Sequence, residues 1–285
     1  MSASASAWLT QNPGCVRVVA VRWRSRKRPK PTIRPEADTG YSGPQGAGII
    51  NRLTYRSFPS NLYAGNLHMN TEKARFNMVE QQIRPWNVLD PNVLDLLFEV
   101  RREEFVPQNY RSLAFADIEI PLSSNATMMA PRMEARLLQE LELSPDAQIL
   151  EVGTGSGYLT ALLASQGAHV TSLEIDPALQ TQAKANLDEA GIENVTLVLG
   201  DGLKGYEAGE PYDAIILTGS VPSVPNVLLH QLALGGRLMA VVGTGQVMEV
   251  VRIHCTGPGT YSRETLFETY VQPLANTPRT SEFAL

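Results

Sequence analysis

Residues 149–164 read ILEVGTGSGYLTALLA. An apolar run of strand length ends at Glu151-Val152, a glycine-rich turn follows at Gly153, Gly155 and Gly157, and the turn opens into apolar residues at helical spacing. This is the opening of a strand–turn–helix unit, and the chain beyond it repeats the rhythm. AHVTSLEI (168–175) reads as a strand. PALQTQAKANLDEAG (177–191) reads as a helix, with Pro177 at its first position and Gly191 past its end. NVTLVLG, YDAIILTG and GRLMAVVG are further strands, with a helix in VPNVLLHQL before the last of them. MEVVRIHC and SRETLFETYVQPL add one or two more strands. Such alternation predicts right-handed crossovers and an α/β fold with a doubly wound, mostly parallel sheet covered on both faces.

Upstream of Ser144-Pro145 the pattern is different. Residues 71–83 predict a helix ended by Arg84-Pro85. PNVLDLLFEVR (91–101) predicts a second helix with Pro91 at its first position. FVPQNYRSLAFADIEIPL is extended or irregular, and PRMEARLLQEL (131–141) predicts another helix opened by Pro131. These elements read as an N-terminal helical cap with a substrate loop over 69–144, followed by an α/β core over 145–285. Residues 1–68 stand apart. They hold ten Lys and Arg against two acids, Glu36 and Asp38, which leaves them at +8 and the remainder of the chain at -13. They are rich in Arg, Pro, Gly and Ser and bury too little apolar surface to offset ordering entropy. A disordered extension, a transit peptide and translated upstream sequence all fit; the reading favoured is a natural start at Met69.

Composition narrows the function classes. The chain has 285 residues, 43% of them hydrophobic and 19% charged, with a net charge of -5. The acidic body argues against a general nucleic-acid binder, which needs a basic face. No apolar run reaches the roughly 20 residues that span a bilayer. Cys15 and Cys255 match no zinc spacing, and His68, His169, His230 and His254 form no pair at ligand spacing, so no metal site is expected. A reducing, cytoplasmic setting fits, and the chain is expected to act as a monomer without nucleic-acid or membrane partners.

The turn selects a ligand. A dinucleotide fingerprint is G-x-G-x-x-G with a pyrophosphate on the helix N-terminus, whereas the spacing here is G-x-G-x-G with Glu151 two residues before the first glycine. A carboxylate aimed into the turn repels a pyrophosphate and suits the positively charged amino-acid end of S-adenosylmethionine (SAM). No Gly-Lys-Ser/Thr follows, which excludes a phosphate loop. Glu174 ends the second strand, where a carboxylate accepts ribose hydroxyls. Asp201-Gly202 ends the third, where the acid accepts from the adenine amino group and the glycine leaves room for the ring. Three acids after three successive strands make Glu151, Gly153, Gly155, Gly157, Glu174, Asp201 and Gly202 the candidate cofactor-binding set.

At these residues the chain resembles the protein-L-isoaspartate O-methyltransferases, a family of class I, Rossmann-like SAM-dependent enzymes. The likeness runs from about Phe76 to Leu274. It includes MVEQQIRPWNVLDPNVLDLLFEVRREEFVP, ILEVGTGSGYLTALLA, the run Tyr212–Ile216, Gly235-Gly236-Arg237-Leu238, and the tail YVQPL, which looks like the family's C-terminal strand. The resemblance implies methyl transfer to the α-carboxylate of an L-isoaspartyl residue in damaged proteins or peptides, a repair function. The family's substrate loop typically reads glycine-x-glycine-glutamine-threonine-isoleucine-serine-x-proline. Here SSNATMMAP (123–131) matches its threonine and proline at Thr127 and Pro131. Met129 stands where the family has the serine thought to position the substrate carboxylate, and Asn125 replaces a glycine. Thr127 is thus the candidate catalytic residue, with Ser123, Ser124 and Asn125 as candidate acceptor contacts. Trp86 reads as a packing anchor and Asp213 as a strand-entry residue. Two alternatives stay open: a methyltransferase with another acceptor, and a SAM-binding protein without turnover.

Overall fold

The computed structural model describes residues 71–277 apart from Ser124. The expected extension over 1–68 and the candidate contact Ser124 lie outside the described residues.

The chain begins with helix α1 (Thr71–Met78), which loosens into a wide turn over Val79–Ile83 and a tight one over Arg84–Trp86. Pro85 has no N–H to continue the helical ladder, and Asn87 ends the segment with φ 61°. Helix α2 (Pro91–Glu99) starts where the sequence places it. Asp90 caps it by accepting from the Asn92 N–H at 2.8 Å, and Val93, Leu94, Leu96 and Leu97 form its buried face. A single turn, α3 (Arg102–Phe105), leads to a minimal hairpin of β1 (Ile120–Pro121) and β2 (Thr127–Met128). Helix α4 (Pro131–Leu141) then buries Met133, Ala135, Leu137, Leu138 and Leu141 on one face.

The core follows as β3 (Gln148–Val152), α5 (Tyr158–Gln166), β4 (His169–Glu174), α6 (Pro177–Glu189), β5 (Val195–Leu199), β6 (Tyr212–Val221), α7 (Asn226–His230), β7 (Leu232–Val242), β8 (Met248–Gly257) and β9 (Thr260–Thr269). The sheet order is β5-β4-β3-β6-β7-β8-β9. Its first five strands are parallel, and β8 and β9 return antiparallel at one edge. The doubly wound, mostly parallel sheet read from the sequence is therefore present. The reversal of strand order falls between β3 and β6. Asp213 acts as a strand-entry residue, its carboxylate accepting from the Gln148 N–H at 2.8 Å. Trp86 packs edge-on against Phe267 with Arg132 over its ring, joining the leading helices to β9.

Two expectations need correction. The helix read in VPNVLLHQL shortens to Asn226–His230, because Gln231 turns back to serve the sheet. Its carbonyl accepts the Tyr212 N–H at 2.8 Å, and its side chain accepts the Tyr206 N–H at 3.1 Å. YVQPL does not continue a sheet strand. After Thr269 the chain leaves β9 and crosses the end of β6, touching it at one bridge between Ser220 and Pro273. A proline cannot donate to a ladder, so pairing stops there.

Leu138 lies on the face that α4 presents to the core and is 1% exposed. Replacing it by alanine is expected to lower unfolding stability by about 2–5 kcal/mol, read from urea unfolding.

Candidate active site

The carboxyl ends of β3, β4, β5 and β6 meet at the switch point, where open α/β sheets place their ligands. A pocket of about 260 Å³ opens there. Its floor is the glycine turn. Gly153 sits at φ 100°, which a side chain rarely tolerates, and a Cβ there would run into the Thr218 hydroxyl. The Gly155 N–H donates to Glu174 Oε2 at 2.9 Å. Glu174 Oε1 accepts from the Ile175 and Asp176 N–H groups at 2.9 and 3.0 Å. Three backbone donors thus fix this carboxylate at the end of β4; Oε1 is filled by two of them, and Oε2 keeps a lone pair for a ligand hydroxyl.

Asp201 leads into a tight turn over Gly202–Lys204, its Oδ1 accepting from the Leu203 N–H at 3.2 Å and its Oδ2 from Asn276 Nδ2 at 3.3 Å. Gly202 packs so closely on β3 that a Cβ would lie 2.6 Å from a Val152 methyl. A side chain there would displace the wall of the pocket.

Gly153, Gly155, Glu174, Asp201 and Gly202 all line this pocket, with Ser123, Asn125 and Thr127 of the hairpin loop. Two expected members do not. Gly157, at φ 83°, sits behind the turn against Ala183 and Leu187 of α6 and serves helix packing. Glu151 is fully buried beneath the turn, where Oε2 accepts from Thr160 Oγ1 at 2.5 Å and Ser172 Oγ at 2.6 Å. Its Oε1 has no partner among the described residues. Rather than the larger pocket, it lines a recess of about 40 Å³ that shares Thr127, Gly153, Gly155 and Thr218 with it.

Burial pushes the Glu151 carboxyl up to about 8, against the hydrogen bonds from Ser172 and Thr160 that favour the charged form. Glu134, which lines the same recess, is pushed up by burial to about 7 against the pull of Arg102.

The β1–β2 loop brings Thr127 to the pocket. Thr127 Oγ1 donates to Glu119 Oε2 at 3.1 Å. Met128 and Met129 turn inward, 3% and 6% exposed, as both core filler and recess lining.

Several walls lie outside the candidate set read from the sequence. Thr218, at the active-site end of β6, lines both cavities and shares its hydroxyl proton between the Val152 and Gly153 carbonyls at 3.0 and 2.8 Å. Its place on the strand next to β3, across the switch point, was the available signal. Gln272, Pro273 and Leu274 close another side. The Ser220 N–H donates to the Gln272 carbonyl, the Leu274 N–H to the Ser220 carbonyl, and Ser220 Oγ to the Val271 carbonyl. Nothing in the sequence marks that contact. Among the described residues, no group of three or more His, Cys, Asp and Glu is placed to hold a metal ion, and no helix is long and apolar enough to cross a membrane.

Comparison with known proteins follows the same outline. A family model described as protein-L-isoaspartate(D-aspartate) O-methyltransferase matches residues 73–277. A protein-L-isoaspartate O-methyltransferase of Methanoculleus marisnigri is 39% identical over 181 residues, covering 64% of this chain and 82% of that protein. One of Rhodopseudomonas palustris is 39% identical over 198 residues, covering 69% and 91%. Among solved structures, a protein-L-isoaspartate O-methyltransferase superposes with a TM-score of 0.62 at 26% identity, covering 72% of this chain and 65% of that one.

The buried Glu151 makes stability depend on pH. The folded chain keeps this proton up to about pH 8, whereas the unfolded chain loses it near the ordinary 4.5. The stability it contributes is complete below about 4.5 and is lost as pH climbs to about 8. Without cofactor, the urea midpoint is expected to fall between about pH 6 and about pH 8.5 more in the parent than in Glu151→Gln. Equal falls would show that Glu151 does not hold its proton.

Proposed function

The chain belongs to the protein-L-isoaspartate(D-aspartate) O-methyltransferase family, and from that premise we propose that it transfers a methyl group from SAM to the α-carboxylate of L-isoaspartyl residues in damaged proteins or peptides. The observation that carries the reading is the convergence of Gly153, Gly155, Glu174, Asp201 and Gly202 on one pocket at the switch point.

The residues present fit the cofactor. Glu174 would take a ribose hydroxyl on its Oε2, Asp201 the adenine amino group, and Gly202 the space the ring needs. The unpartnered Oε1 of Glu151, beneath the turn, suits the ammonium of the methionine end. When bound, SAM supplies a sulfonium methyl to an oxygen nucleophile. The acceptor carboxylate is already anionic at neutral pH, so the chain has no proton to remove. Its part is alignment: Thr127, with Ser123 and Asn125, would hold the acceptor over the pocket, and the tail at Gln272–Leu274 would exclude water. A monomeric enzyme acting in the cytoplasm belongs to the same reading.

A second reading keeps the chemistry and changes the acceptor. The Thr127 hydroxyl proton is committed to the Glu119 carboxylate, which puts a negative charge beside the residue read as the acceptor contact and disfavours an anionic acceptor there. Met129 offers no donor where the family has a serine.

Calorimetry with SAM is expected to show one-site binding by the parent chain, weakened roughly 10- to 100-fold in Glu174→Ala, the loss expected for hydrogen bonds to a charged group. No binding by the parent would end the proposal. With tritiated SAM and an isoaspartyl peptide, base-labile methyl esters are expected. In Glu119→Gln the KM for that peptide should drop on the order of threefold as the opposing charge is removed. An unchanged or higher KM would favour a neutral or cationic acceptor.

A further inference from the structure

Cofactor and acceptor chemistry leaves one buried cluster unused. Arg102 of α3 is completely enclosed. Its Nε donates to the Ala114 carbonyl at 3.0 Å, its Nη1 pairs with Glu134, and its Nη2 donates to the Met129 carbonyl at 2.6 Å. The guanidinium lies over the ring of Tyr158, 5.0 Å from the centroid. Tyr158 is the first residue of α5, directly after the glycine turn. Glu134 belongs to α4 and lines the recess beneath that turn. One side chain therefore touches the helix that starts at the cofactor turn, the wall of the recess and the acceptor loop.

The acceptor loop needs an external anchor. Its hairpin pairs Ile120 with Met128 and Pro121 with Thr127, and beyond them the Leu122 and Ser123 N–H groups share the Ala126 carbonyl at 2.9 and 3.2 Å. Two residues per strand do not make a ladder that holds itself. Met129 lies just past the last pair, and its carbonyl is the point at which Arg102 grips. Thr127, two residues earlier, faces the pocket. A methionine at position 129 is compatible with this arrangement, because the loop is held by its backbone while the thioether packs inward.

We infer that Arg102 is the positioning residue for the acceptor: by fixing the Met129 carbonyl it sets where the Thr127 hydroxyl stands relative to the cofactor pocket. The inference rests on the methyltransferase reading above. It requires arginine in particular, since three donors fan out in one plane to three acceptors on different segments. A lysine keeps the charge next to Glu134 and loses the fork.

The test uses Arg102→Lys and the paired replacement Arg102→Met with Glu134→Leu, which leaves no buried carboxylate without its partner. SAM affinity is measured by calorimetry, and kcat and KM by ester formation on an isoaspartyl peptide, with the parent alongside. Arg102→Lys is expected to bind SAM within about twofold of the parent, while kcat/KM for the peptide falls roughly 10- to 100-fold in both variants, the scale of a misplaced reacting group. The lysine variant should retain more activity than the double one. Peptide kinetics within twofold of the parent would overturn the inference and leave the enzyme reading intact. So would a parallel loss of SAM affinity in the lysine variant, or failure of both variants to fold, since either makes Arg102 a residue of the core. A parent that forms no ester overturns the functional reading, and the inference with it.

Discussion

The chain enters its sheet in the middle. Strand β3 is the first of the parallel set; β4 and β5 are laid down on one side of it, then β6 and β7 on the other. The connections leaving β3 and β6 therefore diverge, and the carboxyl ends of the central strands are left uncovered by helix. The candidate cofactor positions follow from that divergence. The glycine turn leaves β3, Glu174 ends β4, Asp201 follows β5, and Thr218 lies at the same end of β6. None of these residues is near another in the sequence, and the sheet register alone brings them to one rim.

What closes the rim is a set of buried polar contacts rather than further apolar packing. Below the turn, Thr154, Ser172, Glu151 and Thr160 form a connected hydrogen-bonded group. Beside it, Arg102 and Glu134 form a second. Buried polar groups cost free energy unless they are satisfied, and each contact here spans segments distant in sequence. Their effect is geometrical: an apolar core tolerates small slips, whereas a bonded carboxylate fixes the turn against β4 and a bonded guanidinium fixes the loop against α3.

Much of this was legible in the sequence because the signals were local. The strand–turn–helix rhythm, Pro91 and Pro131 at helix starts, Asp213 at a strand entry and the acids ending β4 and β5 each depend on residues within one turn or strand. The structure adds to that reading, or departs from it, where distant contacts decide. Glu151 reads as aimed into the turn, yet Thr160 and Ser172 draw its carboxylate beneath it. Gly157 reads as a ligand contact, yet α6 crowds it from behind. Helix α7 is shorter than its apolar spacing suggests because Gln231 is needed by Tyr206 and Tyr212. Glu119 has no sequence mark at all, since only the hairpin brings it to Thr127. The departures at Met129 and Asn125 were visible as mismatches, but that the loop is held through a carbonyl was not, because a backbone anchor leaves no trace at the anchored position.

The tail beyond β9 bears on how a ligand leaves. Most walls of the pocket are strands, or turns rooted in strands, and moving them means breaking the parallel ladder. The wall at Gln272–Leu274 is tied to Ser220 by three hydrogen bonds, each contributing about 0.5–1.5 kcal/mol net. Peeling it away disturbs no strand pairing beyond the single bridge at Pro273. This is therefore the wall of the pocket that moves at the least cost in strand pairing. A ligand that enters or leaves by moving a wall does so at the least cost by way of this segment, whose hold on the sheet is the one residue Ser220.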